Sequence, residues 1–325
     1  MSTLSFVIVT YQGGDIVRHC VSSLIDQIAV GDCVTVVVSG VKARVDLGDF
    51  EGVEVVDMGR EAGFAEAANA GLGQVTTSSV VVLNDDTCAQ PGFVAALRAY
   101  AGEPGLYAPR ILLSDGSNRI DNMGHGLFPD GFNWARGRED LDASDFDAPR
   151  DVGACSGAAV MIHREVLQAL GGFDADLEAF GEDVDLSLRA RRLGYPLRYV
   201  PNARVEHVLG ASYGRFGARK LYLVERNRIR VAVRSLPATA VLTMPAWTGA
   251  RLAMLGVASL FGRGWAAQVP RKSRLAAMAG LASGVAHLPG ALSKRRTDSE
   301  RWVVGERGMW DHLLENRVRV RDVLR

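Results

Sequence analysis

Residues 79–87 read SVVVLNDDT. The apolar, mostly β-branched run describes a strand buried on both faces. It stops at Asn84-Asp85-Asp86, which places two adjacent carboxylates at the strand's carboxyl end. Upstream, residues 4–10 (LSFVIVT) predict another buried strand. In residues 15–28, Ile16, Val17, Cys20, Leu24 and Ile28 fall on one helical face. Residues 34–38 and 53–56 predict two further strands. Residues 62–73 (AGFAEAANAGLG) predict a small-residue helix, either packed close to a sheet or approached by a ligand. Strands alternating with helices imply an α/β domain on a mostly parallel sheet. Ligands of such sheets gather at the carboxyl ends of the strands. Thr10-Tyr11 and Asn84-Asp85-Asp86 both lie there, so they are expected to meet in one crevice.

Downstream, residues 104–151 are irregular, with turn signals SDGSN at 114–118 and FPDGFN at 128–133. Residues 157–163 predict a strand, and residues 164–172 and 182–194 predict helices that end at glycine. LRYV and ARVEH predict two short strands. From residue 216 the pattern changes. Residues 219–236 (RKLYLVERNRIRVAVRSL) predict a basic amphipathic helix. Residues 235–293 are rich in Ala, Leu, Gly and Met, interrupted by Pro237, Pro245 and Pro270.

The chain has 325 residues, of which 48% are hydrophobic and 23% charged. This composition excludes a disordered, collagen-like or disulfide-scaffold protein. Cys20, Cys33, Cys88 and Cys155 form no CxxC pair, which fits a reduced cytoplasmic protein without structural zinc. No basic segment precedes the first apolar run, so no signal peptide is expected. The net charge of zero hides a split of −14 over residues 1–214 and +14 over residues 215–325. Either the basic part faces an anionic surface or the two parts neutralise each other. The uncharged runs 235–250 and 275–293 carry prolines and many small residues, so no spanning helix is predicted. Helices in the membrane interface are expected instead, flanked by Arg263, Arg271, Lys272, Arg274 and Lys294-Arg295-Arg296. A plain helical subdomain or a homodimer surface is the alternative.

Three polar groups carry candidate chemistry. Asp85 and Asp86 are hard oxygen ligands suited to Mg²⁺ or Mn²⁺ with a diphosphate, or else a solvated turn. Glu182, Asp183 and Asp185 open a helix, where its dipole favours acids whether or not one serves as a base. His207 can join a carboxylate-bound cation or be polar filling.

Taken in order, these stretches resemble an inverting family 2 glycosyltransferase of the GT-A fold, in the bacterial rhamnosyltransferase-like branch. The resemblance runs from residue 4 to 236. It covers FVIVTYQGGD, AGFAEAANAG and VVLNDDT, the long stretch from CSGAAVMIH through FGEDVDLSLRARRLG to VEHVLGAS, and YLVERNRIRVAVRSLP. It implies a catalytic domain over 1–215 followed by a basic helical region over 216–325. It implies Asp183 as catalytic base with Glu182 beside it. Thr10, Tyr11, Ser39, Asn84 and Asp85 fall at the donor, and Asp86, Asp85 and His207 at the metal. Gly157 and Ala158 border the acceptor. Arg226 and Asn227 are placed for a diphosphate contact.

The implied reaction moves a sugar from a nucleoside-diphosphate donor, dTDP-rhamnose or a UDP-sugar, to an acceptor hydroxyl. The implied acceptor is a glycan or a polyprenyl-diphosphate-linked glycan, met at the inner face of the cell membrane. One departure is plain: the family's second strand ends in Asp, whereas here it ends in Ser39-Gly40, with Asp57 a distant substitute. A glycan-binding scaffold is the alternative that this departure motivates. TYQGGD is not the GxGxxG of a dinucleotide oxidoreductase and gives a nucleotidyltransferase no phosphate cradle. The basic part has no recognition-helix pattern, so nucleic acid is not an expected partner.

Overall fold

The computed structural model describes residues 2–208, 214, 216–262 and 265–318. Arg263 and the whole LGAS stretch at 209–212 lie outside them. The strands are β1 (Leu4–Thr10), β2 (Cys33–Val38), β3 (Val53–Asp57), β4 (Ser79–Asn84), β5 (Thr87–Ala89), β6 (Leu106–Leu113), β7 (Ile120–Asn122), β8 (His125–Leu127), β9 (Asn133–Ala135), β10 (Arg150–Asp151), β11 (Ala159–His163) and β12 (Leu197–His207). The helices are α1 (Asp15–Ile25), α2 (Phe64–Leu72), α3 (Phe93–Arg98), α4 (Arg164–Leu170), α5 (Glu182–Arg192), α6 (Ala218–Ser235), α7 (Ala238–Leu260), α8 (Arg271–Ala286), α9 (Leu288–Ser299) and α10 (Glu306–Glu315).

The main sheet runs β10-β12-β6-β11-β4-β1-β2-β3. The β4-β1-β2-β3 part is parallel, and β11 enters antiparallel between β4 and β6. Alternate residues of β1 serve the two faces. Leu4, Phe6 and Ile8 pack with α1 and α3, while Val7 and Val9 pack with α2 and α5. The small residues of α2 serve packing: a Cβ on Gly71 would lie 2.5 Å from the Val7 side chain.

Three sequence expectations change. LYAPRILL, inside the segment read as irregular, is the eight-residue strand β6. Its Arg110 breaks the apolar pattern, yet it is buried against Asp142, Asp147 and the Tyr199 hydroxyl. The LRYV and ARVEH stretches are one strand, β12, with an irregularity between Val200 and Arg204. The prolines of the last third do not interrupt structure. Pro237 and Pro270 cap α7 and α8, and Pro245 lies within α7.

Two of the three glycines in the 275–293 run serve helix packing. A Cβ on Gly280 would lie 2.3 Å from the Tyr222 carbonyl oxygen, and one on Gly284 3.0 Å from that of Arg226. Thus α8 lies against α6, which in turn packs on α5 through Val184, Leu188, Val231 and Ala232. By length and composition α7 could cross a bilayer, and the bent pair α8–α9 passes the same test only if taken together. In this fold Arg251 of α7 is buried in ion pairs with Asp130 and Glu225.

Candidate active site

The carboxyl ends of β1, β2 and β4 form one wall of a cleft of about 670 Å³. Tyr11, Ser39, Asn84, Asp85, Asp86, Gly157, Ala158, Glu182, Asp183 and His207 all line it. The crevice expected from the strand ends is therefore present, and the two acidic groups share it.

Thr10 does not reach the cleft surface. It is fully buried, accepts the Gly13 N–H and donates its hydroxyl to Asp85 Oδ2 at 2.5 Å. Its part is to aim Asp85. Burial raises the Asp85 carboxyl to about 6; the Thr10 bond opposes this and the Asp86 charge adds to it. Asp86 keeps Oδ1 buried without a hydrogen-bond partner, 3.3 Å from His207 Nε2. The His207 Nδ1 lies 2.8 Å from Asp121 Oδ2, which fixes the ring. Burial disfavours the charged ring, but Asp121 and Asp86 outweigh it and hold the imidazole at about 9. Among the described residues no three acids, histidines or cysteines form a complete metal cage. Asp86 Oδ1 and His207 Nε2 nonetheless converge as an oxygen and a nitrogen donor, a pair that suits a divalent cation whose other ligands come from substrate and water.

The second acidic group lies at the start of α5. Gly181 (φ 98°) caps the helix after Glu178 and Phe180, both at φ 64°. A side chain at Gly181 would be strained, so the turn that presents Glu182-Asp183 depends on glycine. Asp183 Oδ2 accepts the Gly157 N–H and Oδ1 accepts the Val184 N–H, each at 2.8 Å. His125 Nε2 stands 3.7 Å from Oδ2. Burial pushes the Asp183 carboxyl up, but His125 and the two N–H groups outweigh it, so it lies below the usual range. Glu182 is the opposite case. Burial and the Asp183 charge raise it well above the usual range, and its Oε2 has no partner. The two shifts run in opposite directions, so a proton taken up by the pair goes to Glu182 before Asp183.

Arg226 and Asn227 do not line the cleft. Asn227 is fully buried, and its amide donates to the Leu177, Ala179 and Phe180 carbonyls at 2.8, 3.0 and 2.7 Å. Arg226 pairs with Glu178 and donates to the Leu177 carbonyl. Both hold the strained turn in front of Glu182, and neither is placed for a diphosphate. The arginine of α6 that does line the cleft is Arg228, and Lys220 of the same helix lines it too.

Sequence reasoning passed over Asp121, Asn122, His125, Trp134 and Arg138, which line the cleft from the irregular segment. The signal was present in DNMGHG at 121–126, an acid, an amide and a histidine within five residues.

The sequence profile described as glycosyltransferase like family 2 matches residues 2–232. The chain belongs to that family. A pre-mycofactocin glycosyltransferase of Mycobacterium tuberculosis is 31% identical over 253 residues, covering 71% of this chain and 51% of the relative. An N-acetylglucosaminyl-diphospho-decaprenol L-rhamnosyltransferase of the same organism is 29% identical, covering 53% and 64%. The chain spans about half the length of the first of these curated relatives. In fold it is similar to the Pyrobaculum calidifontis mannosyltransferase solved with GDP-Man and Mn²⁺. The TM-score is 0.52 at 14% identity, over 88% of this chain and 86% of that one. The fold of this family 2 member is the GT-A arrangement, with helices added at the C-terminal end.

Proposed function

We propose that this family 2 member transfers a sugar, with inversion, from a nucleoside-diphosphate donor to an acceptor hydroxyl, with Asp183 as the base. One observation carries the reading. Asp183, held by the Gly157 and Val184 N–H groups, faces the same cleft as the Asp85-Asp86 pair and His207. Asp183 takes the acceptor proton at Oδ as the acceptor oxygen attacks the anomeric carbon. The bond from that carbon to the diphosphate oxygen breaks on the opposite face, and the electron pair leaves with the nucleoside diphosphate. The Gly157 and Val184 N–H groups keep Asp183 charged and aimed until that proton arrives. Asp86 and His207, aimed by Asp121, would hold a Mg²⁺ or Mn²⁺ ion, and Asp85 would support it from beside Thr10. Such a cation supplies charge neutralisation for the departing diphosphate. The Mn²⁺ in the mannosyltransferase complex supports that choice of metal.

Tyr11, Ser39 and Asn84 line the donor end, and Gly157 with Ala158 borders the acceptor. This reading takes dTDP-rhamnose or a UDP-sugar as donor and a glycan or lipid-linked acceptor; the relative named as a rhamnosyltransferase acting on a diphospho-decaprenol supports the rhamnosyl and lipid-linked choices. Six apolar side chains at the exposed face of α7 and α8, namely Leu242, Leu260, Phe261, Leu275, Met278 and Val285, support peripheral binding at the inner membrane face. On this reading the catalytic unit extends over 1–215 and the helical region over 216–325 serves the acceptor and the membrane.

The test is a donor screen. UDP-, dTDP- and GDP-sugars are incubated with the protein in Mn²⁺ or EDTA, with and without a membrane lipid extract. Nucleoside diphosphate released from one donor only with metal is expected. No release and no donor binding under any condition would favour the glycan-binding scaffold, with Ser39→Asp the first variant to restore binding.

A further inference from the structure

Seven buried side-chain polar atoms among the described residues have no hydrogen-bond partner, and six of them belong to residues that line the cleft. They differ in kind by location. Asp86 Oδ1 and Glu182 Oε2 are oxygens beside the metal and base positions. Arg228 Nη2 and Trp265 Nε1 are N–H donors, and both belong to the wall opposite the strand ends. Arg228 is 4% exposed, so a buried guanidinium N–H₂ is left without an acceptor. Such a group costs free energy unless a ligand supplies the missing oxygen.

Both residues pack around the 130–132 turn. Trp265 packs with Phe132 in one apolar cluster. A Cβ on the adjacent Gly131 would lie 3.2 Å from the Arg228 carbonyl oxygen, and the Arg228 guanidinium donates to the Asp130 carbonyl. Around them stands a ladder of rings. Phe132 stacks on Trp134 at 6.2 Å, Trp134 on Trp265 at 5.9 Å and Trp265 on Phe216 at 6.3 Å. All four rings line the cleft. The ion pairs beneath are balanced: Arg228 and Arg251 against Asp130 and Glu225. Net charge on this tetrad therefore does not draw an anion. The directed N–H groups do, with Arg138 and Lys220 on the same wall adding positive potential.

Resting on the glycosyl-transfer reading, we infer that this wall is an acceptor subsite for a ring-bearing oxyanion. The acceptor's phosphate or carboxylate oxygens accept from Arg228 Nη2 and Trp265 Nε1, and its ring lies against the Trp134–Trp265 ladder. Trp265 comes from the connection between α7 and α8, so the C-terminal region completes the site.

The experiment uses the full chain saturated with Mn²⁺ and whichever of UDP, dTDP or GDP it binds, so that the donor side is filled. Phenyl phosphate, benzoate and phenol are then titrated, followed by tryptophan emission and calorimetry. Phenyl phosphate or benzoate is expected to bind with the nucleotide in place, at least tenfold more tightly than phenol. The two anions distinguish a phosphate from a carboxylate acceptor. Arg228→Lys keeps the charge balance but loses the forked donor, and Trp265→Phe keeps the ring but loses the N–H. Each is expected to weaken the anion about tenfold and leave nucleotide affinity unchanged. If Arg228→Lys does not fold, Trp265→Phe decides alone. Equal binding of phenol and the anions, anion binding only in competition with the nucleotide, or unaltered anion binding in the variants would overturn the inference. Absence of nucleotide binding would instead overturn the glycosyl-transfer reading on which it rests.

Discussion

The two walls of the cleft are built differently. The wall at the ends of β1, β2 and β4 is closed by its own bonds: Thr10 to Asp85, Ser39 to the Thr10 carbonyl, and Asn84 N–H to the Ala158 carbonyl. Among the described residues, only Asp86 Oδ1 is left there without a hydrogen-bond partner. The opposite wall, from the 121–138 segment, α5, α6 and Trp265, carries five open polar atoms. A parallel sheet satisfies its backbone by strand pairing, so its side chains at the rim are free to bond one another. The opposite wall comes from turns, a short hairpin and helix ends, and part of its polar capacity is left for what binds. The strand wall is thus preset, while the helix wall is completed by substrate.

That comparison breaks most easily at the base. Asp183→Asn is expected to lower the transfer rate about 10³-fold, within the usual span for general-base loss, and leave nucleotide affinity unchanged. Turnover near wild type would remove Asp183 from the reaction. Next comes the anchor of the helix wall. His312 of α10 donates from Nε2 to the Gly153 carbonyl at 2.9 Å, and burial lowers the ring to about 4, the Gly153 bond only partly opposing this. Its folded value lies below the unfolded one, so the unfolded chain takes up the proton first. Stability is expected to be full above about pH 6.5 and to fall by about 3 kcal/mol as pH drops toward 4. Comparing denaturant midpoints of wild type and His312→Gln over that range checks this; parallel curves would show that His312 is not the source.

Asp121→Asn sharpens the comparison, because it alters the helix wall but reads out on the strand wall. Metal affinity is expected to fall about 10- to 100-fold through loss of His207 orientation, measured by Mn²⁺ titration. No change would mean that Asp121 does not fix the ring. The smallest effect belongs to Glu182→Gln. Since burial and the Asp183 charge favour the neutral form of Glu182, transfer is expected to stay within about threefold of wild type when a neutral isostere replaces it. A loss as large as that of Asp183→Asn would show that Glu182 carries charge in the reaction.

The charge split also resolves into particular bonds. Arg226 meets Glu178, Arg234 meets Asp174 and Asp185, and Lys294 meets Asp174 and Asp176. These cations of the basic third neutralise acids of the acidic part of the same molecule. This favours the second of the two readings of the split and leaves mainly the apolar face of α7 and α8 to support a membrane contact.

The strand–helix alternation and the acids at the end of β4 and at the start of α5 were legible in the chain alone. These follow from period and end chemistry, which neighbours along the chain dictate. Only the tertiary structure decided that Arg110 lies in a central strand, that Thr10 serves Asp85 and that Asn227 braces the 177–180 turn. It alone decided that Asp121 meets His207 across 86 residues and that Arg228, two places from Arg226, faces the cleft. A buried polar side chain takes the partner that topology brings to it, and no local pattern in the chain encodes that partner.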